Sequence, residues 1–458
     1  MTSIPTVDFT RHLQDWDGFG CNYVEMSHSR DGTYEDYGSF SELDAASKER
    51  VLDMIFGAGG LRLGIMKIFL PPHLLLRPPK PGAMNLDDYR FSECLPQNIS
   101  FAQEGIRRSN EQGIVLRFLI TMYGPPAWAN KQRAIRGKDL DPEMRDPLAT
   151  YVAGCALYLR ERAGIPVGAV SLHNEGEDPN RYPGGPGDDF NMYWPPEQVA
   201  DMIPRVRRQL DAVGLSDVAV TPGETTLWSR FEPYAWAIAN HREALQGLGL
   251  ITSHGFGGDY GRQGIDFLRR RHPRNQNLKP ELHAWTTSCS WYKSGGVDFA
   301  SNFVQQINRV GVNALIPWAI IQTPPKWPGG DPNPNPPFLV NQDRSITVNK
   351  SYYYFKQLTR AGQAGMKVVT AEECPFRAIH TLAFASNGTV APNALVVVNA
   401  ADTPLEVRYT IRGAGSRFDL YRTDSEAESF MHVGEVMLRN KVLTYSAPAA
   451  SVSTFFEI

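Results

Sequence analysis

The chain has 458 residues, 42% of them hydrophobic and 21% charged, which is typical of a globular protein with one large domain and a smaller one. Forty-six basic residues against forty-nine acidic ones give a net charge of −3, and no basic run is long enough to hold a phosphate backbone, so a nucleic-acid partner is excluded. No run of about eighteen apolar residues occurs, so membrane insertion is not expected.

Eight apolar runs, separated by segments with helical spacing, follow one another along the chain. The helical segments are 41–57, 96–112, 147–163, 195–213, 228–247 and 351–360. The apolar runs are 17–25, 61–70, 114–122, 167–175, 218–224, 248–254, 282–289 and 312–321. This alternation predicts an α/β fold, a (β/α)8 TIM barrel over residues 15–362.

The pattern changes after residue 362. Short alternating runs, such as 394–398, 405–411 and 442–447, lie between Gly, Pro, Asn and Asp turns. They predict a C-terminal antiparallel β-sandwich over residues 363–458, which residues 1–14 are expected to join.

The five cysteines lie far apart, with neither a CxxC motif nor metal-ligand spacing. We therefore expect no disulfide framework, no metal and no cofactor. Residues 1–15 do not combine a basic stretch with an apolar one, so no signal peptide is recognised. The location expected for the chain as given is cytoplasmic, or secreted or periplasmic if a signal has been removed. No pattern indicates an oligomeric state.

Polar side chains collect where the predicted strands end. The carboxyl ends of barrel strands meet on one face, so these residues are expected to converge. The candidates are Glu25, Trp128, Asn174, Glu175, Glu224, His254, Trp285, Ser288 and Trp318. All nine Trp residues lie between Trp16 and Trp327, which places an aromatic sugar-binding surface on the barrel.

Carboxylic acids among these residues suit the cleavage of a glycosidic bond. One carboxyl must protonate the leaving oxygen, and a second group must act as nucleophile or activate water. Glu175 suits the acid role, because a neighbouring acid and partial burial both raise a carboxyl pKa. Long loops after strands three, four and eight indicate a deep pocket and an exo-acting enzyme.

Several short motifs follow one another along the chain, and their order is more specific than any one of them. They are Gly18-Phe19-Gly20, Ser171-Leu172-His173-Asn174-Glu175, Ser253-His254, Trp318, Tyr352-Tyr353 and Ser451-Val452-Ser453-Thr454-Phe455. In these motifs the chain resembles clan A glycoside hydrolases, and family 30 in particular. The resemblance implies that Glu175 is the acid/base, that Asn174 donates a hydrogen bond to substrate, and that the sandwich packs beside the barrel.

The seventh predicted strand departs from the family pattern. There the family carries its nucleophile in a Trp-x-Ser/Thr-Glu-like motif, whereas this chain has Trp285-Thr286-Thr287-Ser288. Thr287 or Ser288 replaces the glutamate, and a hydroxyl needs a partner base to become nucleophilic. Glu281 precedes the apolar part of the strand, so we expect it at the opposite end of the barrel.

Three functions are compatible with this departure. In the favoured one, Glu224 is the base and faces Glu175 across a gap for water of about 6.5 to 9.5 Å, as inversion requires. Glu25 is the next candidate for that role, although it is expected to bind substrate together with Trp128, Asn174, His254, Trp285, Ser288 and Trp318. The alternatives are a carbohydrate-binding protein without turnover and a lyase acting on uronic-acid glycans.

Overall fold

A closed ring of parallel strands forms the centre of this computed structural model, which describes residues 4–25, 36–80, 84–180, 189–273, 282–291, 296–323 and 335–458. In these ranges the ring has eight strands: Gly18–Asn22, Ile65–Leu70, Arg117–Met122, Val167–Ser171, Ala219–Thr221, Ile251–Ser253, Ala284–Thr286 and Ala314–Leu315. We number them one to eight in chain order. A parallel bridge between Val220 and Leu248 joins strands five and six and closes the ring, which confirms the predicted barrel.

Apolar side chains fill the inside of the ring. Ile65, Leu119 and Ala169 come from strands two, three and four, and Trp285 enters from strand seven. All of them are buried. Such two-sided burial explains why the strands are nearly continuous apolar runs in the sequence.

Helices surround the ring. They are Ala45–Phe56, Phe91–Cys94, Pro96–Asn110, Arg145–Glu161, Pro196–Ala212, Glu232–Asn240, Arg242–Gly247, Gln263–Arg271, Asp298–Gln305 and Lys350–Ala361. The single helix predicted over 228–247 is wrong, because the chain is extended at His241. The imidazole of His241 accepts a hydrogen bond from the Ala244 N–H and so caps a second helix.

The eighth strand is shorter than the predicted run 312–321. It stops at Leu315, shortly before Pro317, which has no N–H for a strand ladder. Ile321–Gln322 instead pairs with Phe338–Val340, which pairs with Ile346–Val348. This small sheet lies where strand eight reaches the carboxyl end of the ring.

A mostly antiparallel sheet forms the second layer of the fold, as predicted. Its nine strands within the described residues are Thr6–Asp15, Lys367–Ala371, Ile379–Ala385, Ala394–Asn399, Leu405–Arg412, Arg417–Thr423, Met431–Met437, Val442–Ala447 and Ser451–Glu457. Thr6–Asp15 pairs with Lys367–Ala371 and with Leu405–Arg412, so the start of the chain is part of this sheet. The domain boundary at residue 362 stays a prediction.

The two central strands of this sheet are buried on both faces. Phe384 and Val396 pack in the core shared with the barrel, whereas the adjacent Ala383 and Leu395 pack in the separate core of the sheet. The sheet therefore rests against the barrel through one face. Within the described residues, no helix is long and apolar enough to span a membrane.

Candidate active site

The turn after strand four aims Glu175 across the carboxyl end of the ring. Glu175 has a φ of 46°, in the left-handed region that few residues other than glycine adopt. Its N–H donates to the Glu224 carbonyl at 2.6 Å, and the Glu224 N–H donates to the His173 carbonyl at 2.9 Å. These bonds between the ends of strands four and five hold the strained residue in place.

His173 supports the same turn from below. Its Nδ1 accepts a hydrogen bond from the Gly176 N–H at 3.1 Å. Burial lowers the pKa of His173 to about 3, so the ring is neutral at physiological pH. The side chain therefore shapes the turn rather than exchanging protons.

The Glu175 carboxyl lies between an imidazole and a pair of amides. Its side chain is 20% exposed, and Oε1 is 3.2 Å from Nδ1 of His254. Oε2 accepts from Nδ2 of Asn191 at 3.4 Å. Asn191 Oδ1 in turn accepts from Nδ2 of Asn174 at 2.9 Å. The Asn174 amide thus donates inside the protein, and its Oδ1 has no partner among the described residues.

The Glu224 carboxylate lies at the floor of the site. It is fully buried and, among the described residues, accepts hydrogen bonds from four side chains. Thr121 donates to Oε1 at 2.5 Å, while Thr287 at 2.8 Å, His254 Nε2 at 3.0 Å and Lys67 meet Oε2. Burial alone would raise the pKa of the Glu224 carboxyl, but Lys67 and His254 hold it well below its usual range. Glu224 is therefore an anion.

His254 connects the two carboxyl groups, with Nδ1 toward Glu175 and Nε2 toward Glu224. Burial would lower its pKa, but its contacts with the two carboxyl groups raise the pKa above the ordinary value. A chain of ionisable side chains thus runs from Lys67 through Glu224 and His254 to Glu175. Of these four side chains, Glu175 has the largest exposed fraction.

Comparison with solved structures identifies the architecture. The catalytic domain of the GH30 xylanase C from Talaromyces cellulolyticus superposes with a TM-score of 0.74 at 17% identity, over all of both chains. A GH30 endoxylanase from Clostridium papyrosolvens C71 gives 0.70 at 16% identity, over 99% of this chain and 100% of that one. An endo-β1,6-glucanase gives 0.70 at 16% identity, over 99% and 93%. The chain has the fold of glycoside hydrolase family 30.

The similarity to these structures concerns the fold alone, because the sequence identities are only 16% to 17%. No protein-family model matches the chain. No curated protein matches it either. Roles for individual residues must therefore come from the geometry of this site.

The seventh strand of this family 30 fold places its polar residues differently from the prediction. Trp285 was expected to bind substrate, but its indole lies inside the barrel and donates to Asp17 at 2.8 Å, at the opposite end of the ring. Thr287 lies two residues further and so shares the inward face of Trp285, and its hydroxyl donates to Glu224 at the floor of the site. The Ser288 hydroxyl is buried without a hydrogen-bond partner in the described ranges. Glu281 lies outside the described residues.

The Glu25 carboxylate contacts the start of a helix, while its predicted binding of substrate stays untested. The carboxylate accepts the backbone N–H groups of Gln97 at 3.0 Å and Asn98 at 2.8 Å, at the start of helix Pro96–Asn110. Burial raises the pKa of Glu25 to about 7, against the effect of these hydrogen bonds. The carboxyl group is thus bound to a helix N-terminus.

The two tryptophans Trp128 and Trp318 differ in burial. Trp128 is buried, and its indole donates to the Leu75 carbonyl at 2.9 Å, while its binding of substrate stays a prediction. Trp318 is only partly buried, with its ring 5.8 Å from that of Phe69 and 6.4 Å from that of Tyr37. Trp318, Phe69 and Tyr37 therefore form an aromatic cluster beyond the end of strand eight.

Sequence reasoning missed the residues that complete the site, chiefly Lys67, Asn191 and Thr121. Lys67 had a readable signal, because it is a single charge within the apolar run Ile65–Leu70. The loops expected to deepen the pocket include residues 181–188 and 324–334, which lie outside the described residues. In the part of the chain that is described, no cluster of His, Cys, Asp and Glu is arranged to hold a metal ion.

Proposed function

We propose that the protein is a glycoside hydrolase in which Glu175 protonates the leaving oxygen of a bound saccharide. The observation that carries this proposal is the partly exposed Glu175 carboxyl, held at the carboxyl end of strand four beside buried His254 and Asn174. Trp318 supplies an aromatic face for a sugar ring, and the orphan Oδ1 of Asn174 can accept from a sugar hydroxyl. The fold it shares with family 30 xylanases is compatible with this chemistry.

In this reaction the Glu175 proton passes to the glycosidic oxygen as its bond to the anomeric carbon breaks. Water forms the new bond to that carbon and loses a proton to solvent, and Glu175 takes up a proton from solvent for the next cycle. The prediction that Glu224 is the base for this water stays untested. The geometry counts against it, because a buried carboxylate with a depressed pKa is a weak base and its oxygens already accept from four described side chains.

A carbohydrate-binding protein without turnover is the second candidate. It is favoured by strand seven, where Thr287 and Ser288 occupy the place at which the family carries its nucleophile. This candidate predicts affinity for a glycan without product release, and the same affinity after Glu175→Gln.

A panel of xylo-, gluco- and galacto-oligosaccharides, offered to the wild type and to Glu175→Gln, tests the proposal. We expect hydrolysis by the wild type and a loss of about a hundredfold or more in the variant. Glu177→Gln is the matched control, because Glu177 lies two residues away and accepts from the Thr226 N–H at 2.7 Å, away from His254. Equal rates in wild type and Glu175→Gln would contradict the assigned role.

The products of the same assay address the finer predictions. Inversion at the anomeric carbon, read by proton NMR on the first-formed sugar, would support a direct attack by water. We propose exo-action, which predicts a single small sugar as the early product, whereas a ladder of oligosaccharides would indicate endo-action.

A further inference from the structure

The position of one hydrogen on His254 follows from its partner. Glu224 is ionised, and an ionised carboxylate only accepts hydrogen bonds. Its Oε2 lies 3.0 Å from Nε2 of His254, so Nε2 carries the hydrogen. The buried carboxylate thus selects one tautomer of the neutral imidazole.

The other ring nitrogen faces the proposed proton donor. Nδ1 of His254 is 3.2 Å from Oε1 of Glu175. With the hydrogen fixed on Nε2, Nδ1 either accepts the proton of a protonated Glu175 or, as imidazolium, faces an ionised Glu175. In both states a single proton is shared by Nδ1 and the Glu175 carboxyl.

We propose that Glu224 is a positioning residue that holds His254 in the Nε2–H tautomer and thereby keeps Nδ1 free to share a proton with Glu175. This inference rests on the proposed function, since it gives the shared proton to the group that protonates the leaving oxygen. Glu224 acts through His254 and does not touch the substrate, in agreement with its complete burial.

Among the described residues, the charged groups that act on the pKa of His254 are Glu175, Glu224 and Lys67. Lys67 on strand two lies beyond Glu224 and keeps it ionised, and Glu175 comes from the turn after strand four. His173 lies nearby but is neutral. When the leaving oxygen takes the shared proton from the Glu175 carboxyl, Nδ1 and the Glu175 carboxylate are both left without it, and together they take up the next proton from water.

The ring 15N shifts of selectively labelled histidine test the tautomer. The His254 signals are identified by their loss in His254→Asn. At a pH where His254 is neutral, we expect the wild type to carry the hydrogen on Nε2, and Glu224→Gln to lower the pKa of His254 by about one unit or more. The double variant Lys67→Met/Glu224→Met replaces the pair by apolar side chains, and there we expect the Nε2–H preference to disappear.

Asp17→Asn is the matched control. Asp17 is a buried carboxylate that binds another imidazole, His283 Nδ1 at 2.6 Å, at the opposite end of the barrel. It should change the titration of His283 and leave that of His254 unaltered. A wild-type His254 with its hydrogen on Nδ1, or an unchanged tautomer in the double variant, would overturn the inference.

Kinetics separate this inference from the proposed function. On a glycan that the wild type hydrolyses, we expect the double variant to lose kcat by about a hundredfold or more with KM little changed, because the tautomer affects only proton transfer. An unchanged kcat would overturn the inference while leaving Glu175 as acid. If the wild type hydrolyses no glycan, the proposed function fails, and the 15N shifts still decide the tautomer.

Discussion

Replacing Lys67 by Met should expose how strongly the floor of the site depends on one ion pair. The ammonium and the Glu224 carboxylate are both 0% exposed, so the variant leaves a buried anion without its cation. The hydroxyl groups of Thr121 and Thr287 and the imidazole of His254 remain as donors. Removing one partner of a buried ion pair lowers the free energy of unfolding by about 3 to 5 kcal/mol. Because these donors still bind the Glu224 carboxylate, we expect a loss of about 3 kcal/mol.

The pH dependence of this loss has a definite sign. In the wild type the pKa of Glu224 is lowered, so its contribution to stability is present above the unfolded pKa of about 4.3 and is lost as the pH falls. In Lys67→Met the cation that lowers the pKa most is gone, and we expect burial to raise the pKa of Glu224 above the unfolded value. The variant should then lose stability as the pH rises, so the two proteins differ most at neutral pH.

Thermal and urea unfolding between pH 4 and pH 8 measure this difference. A loss of 3 kcal/mol lowers Tm by about 3 °C at neutral pH, and by less at pH 4. The double variant Lys67→Met/Glu224→Met removes the buried charge and should recover most of the loss. Equal stability of wild type and Lys67→Met at every pH, or a double variant no better than the single one, would refute this reasoning.

Three further variants test the reassigned residues. Because the pKa of Glu25 is raised to about 7, the wild type should lose stability as the pH rises from about 4 to 7. Glu25→Gln should not show this loss, which a comparison of Tm at pH 5 and pH 7.5 measures. Trp285→Phe removes the hydrogen bond to Asp17 inside the barrel and should lower the free energy of unfolding by about 1 to 3 kcal/mol without raising KM for a hydrolysed glycan. Trp318→Ala should raise KM for a hydrolysed glycan several-fold and leave Tm nearly unchanged. A larger effect on Tm than on KM would show that Trp318 does not bind substrate.

The barrel was predictable because its strands are buried on both faces. Such strands are continuous apolar runs, so the predicted run 218–224 brackets the observed Ala219–Thr221. Strand eight was overestimated because Pro317 interrupts an apolar run that stays buried on either side of it. Hydrophobicity reports burial, whereas the length of a strand depends on which N–H groups find partners.

Individual site residues were harder to predict, because a strand end fixes the position of a residue but not the direction of its side chain. Trp285 and Thr287 point toward different ends of the barrel although they are two residues apart. Glu25 sits at the expected strand end, yet it meets a helix N-terminus that no local pattern relates to it. The position of Glu175 at the end of strand four was predictable, because the motif that contains it lies wholly within one turn, whereas its catalytic role stays a proposal.

The pairing of Thr6–Asp15 bears on how the chain folds during synthesis. Asp15 contacts Lys367, which is made 352 positions later, so this strand leaves the ribosome long before its neighbours in the sheet exist. Until then its exposed backbone can pair with other chains. Slowing translation upstream of residue 367 should therefore prolong the period in which nascent chains aggregate.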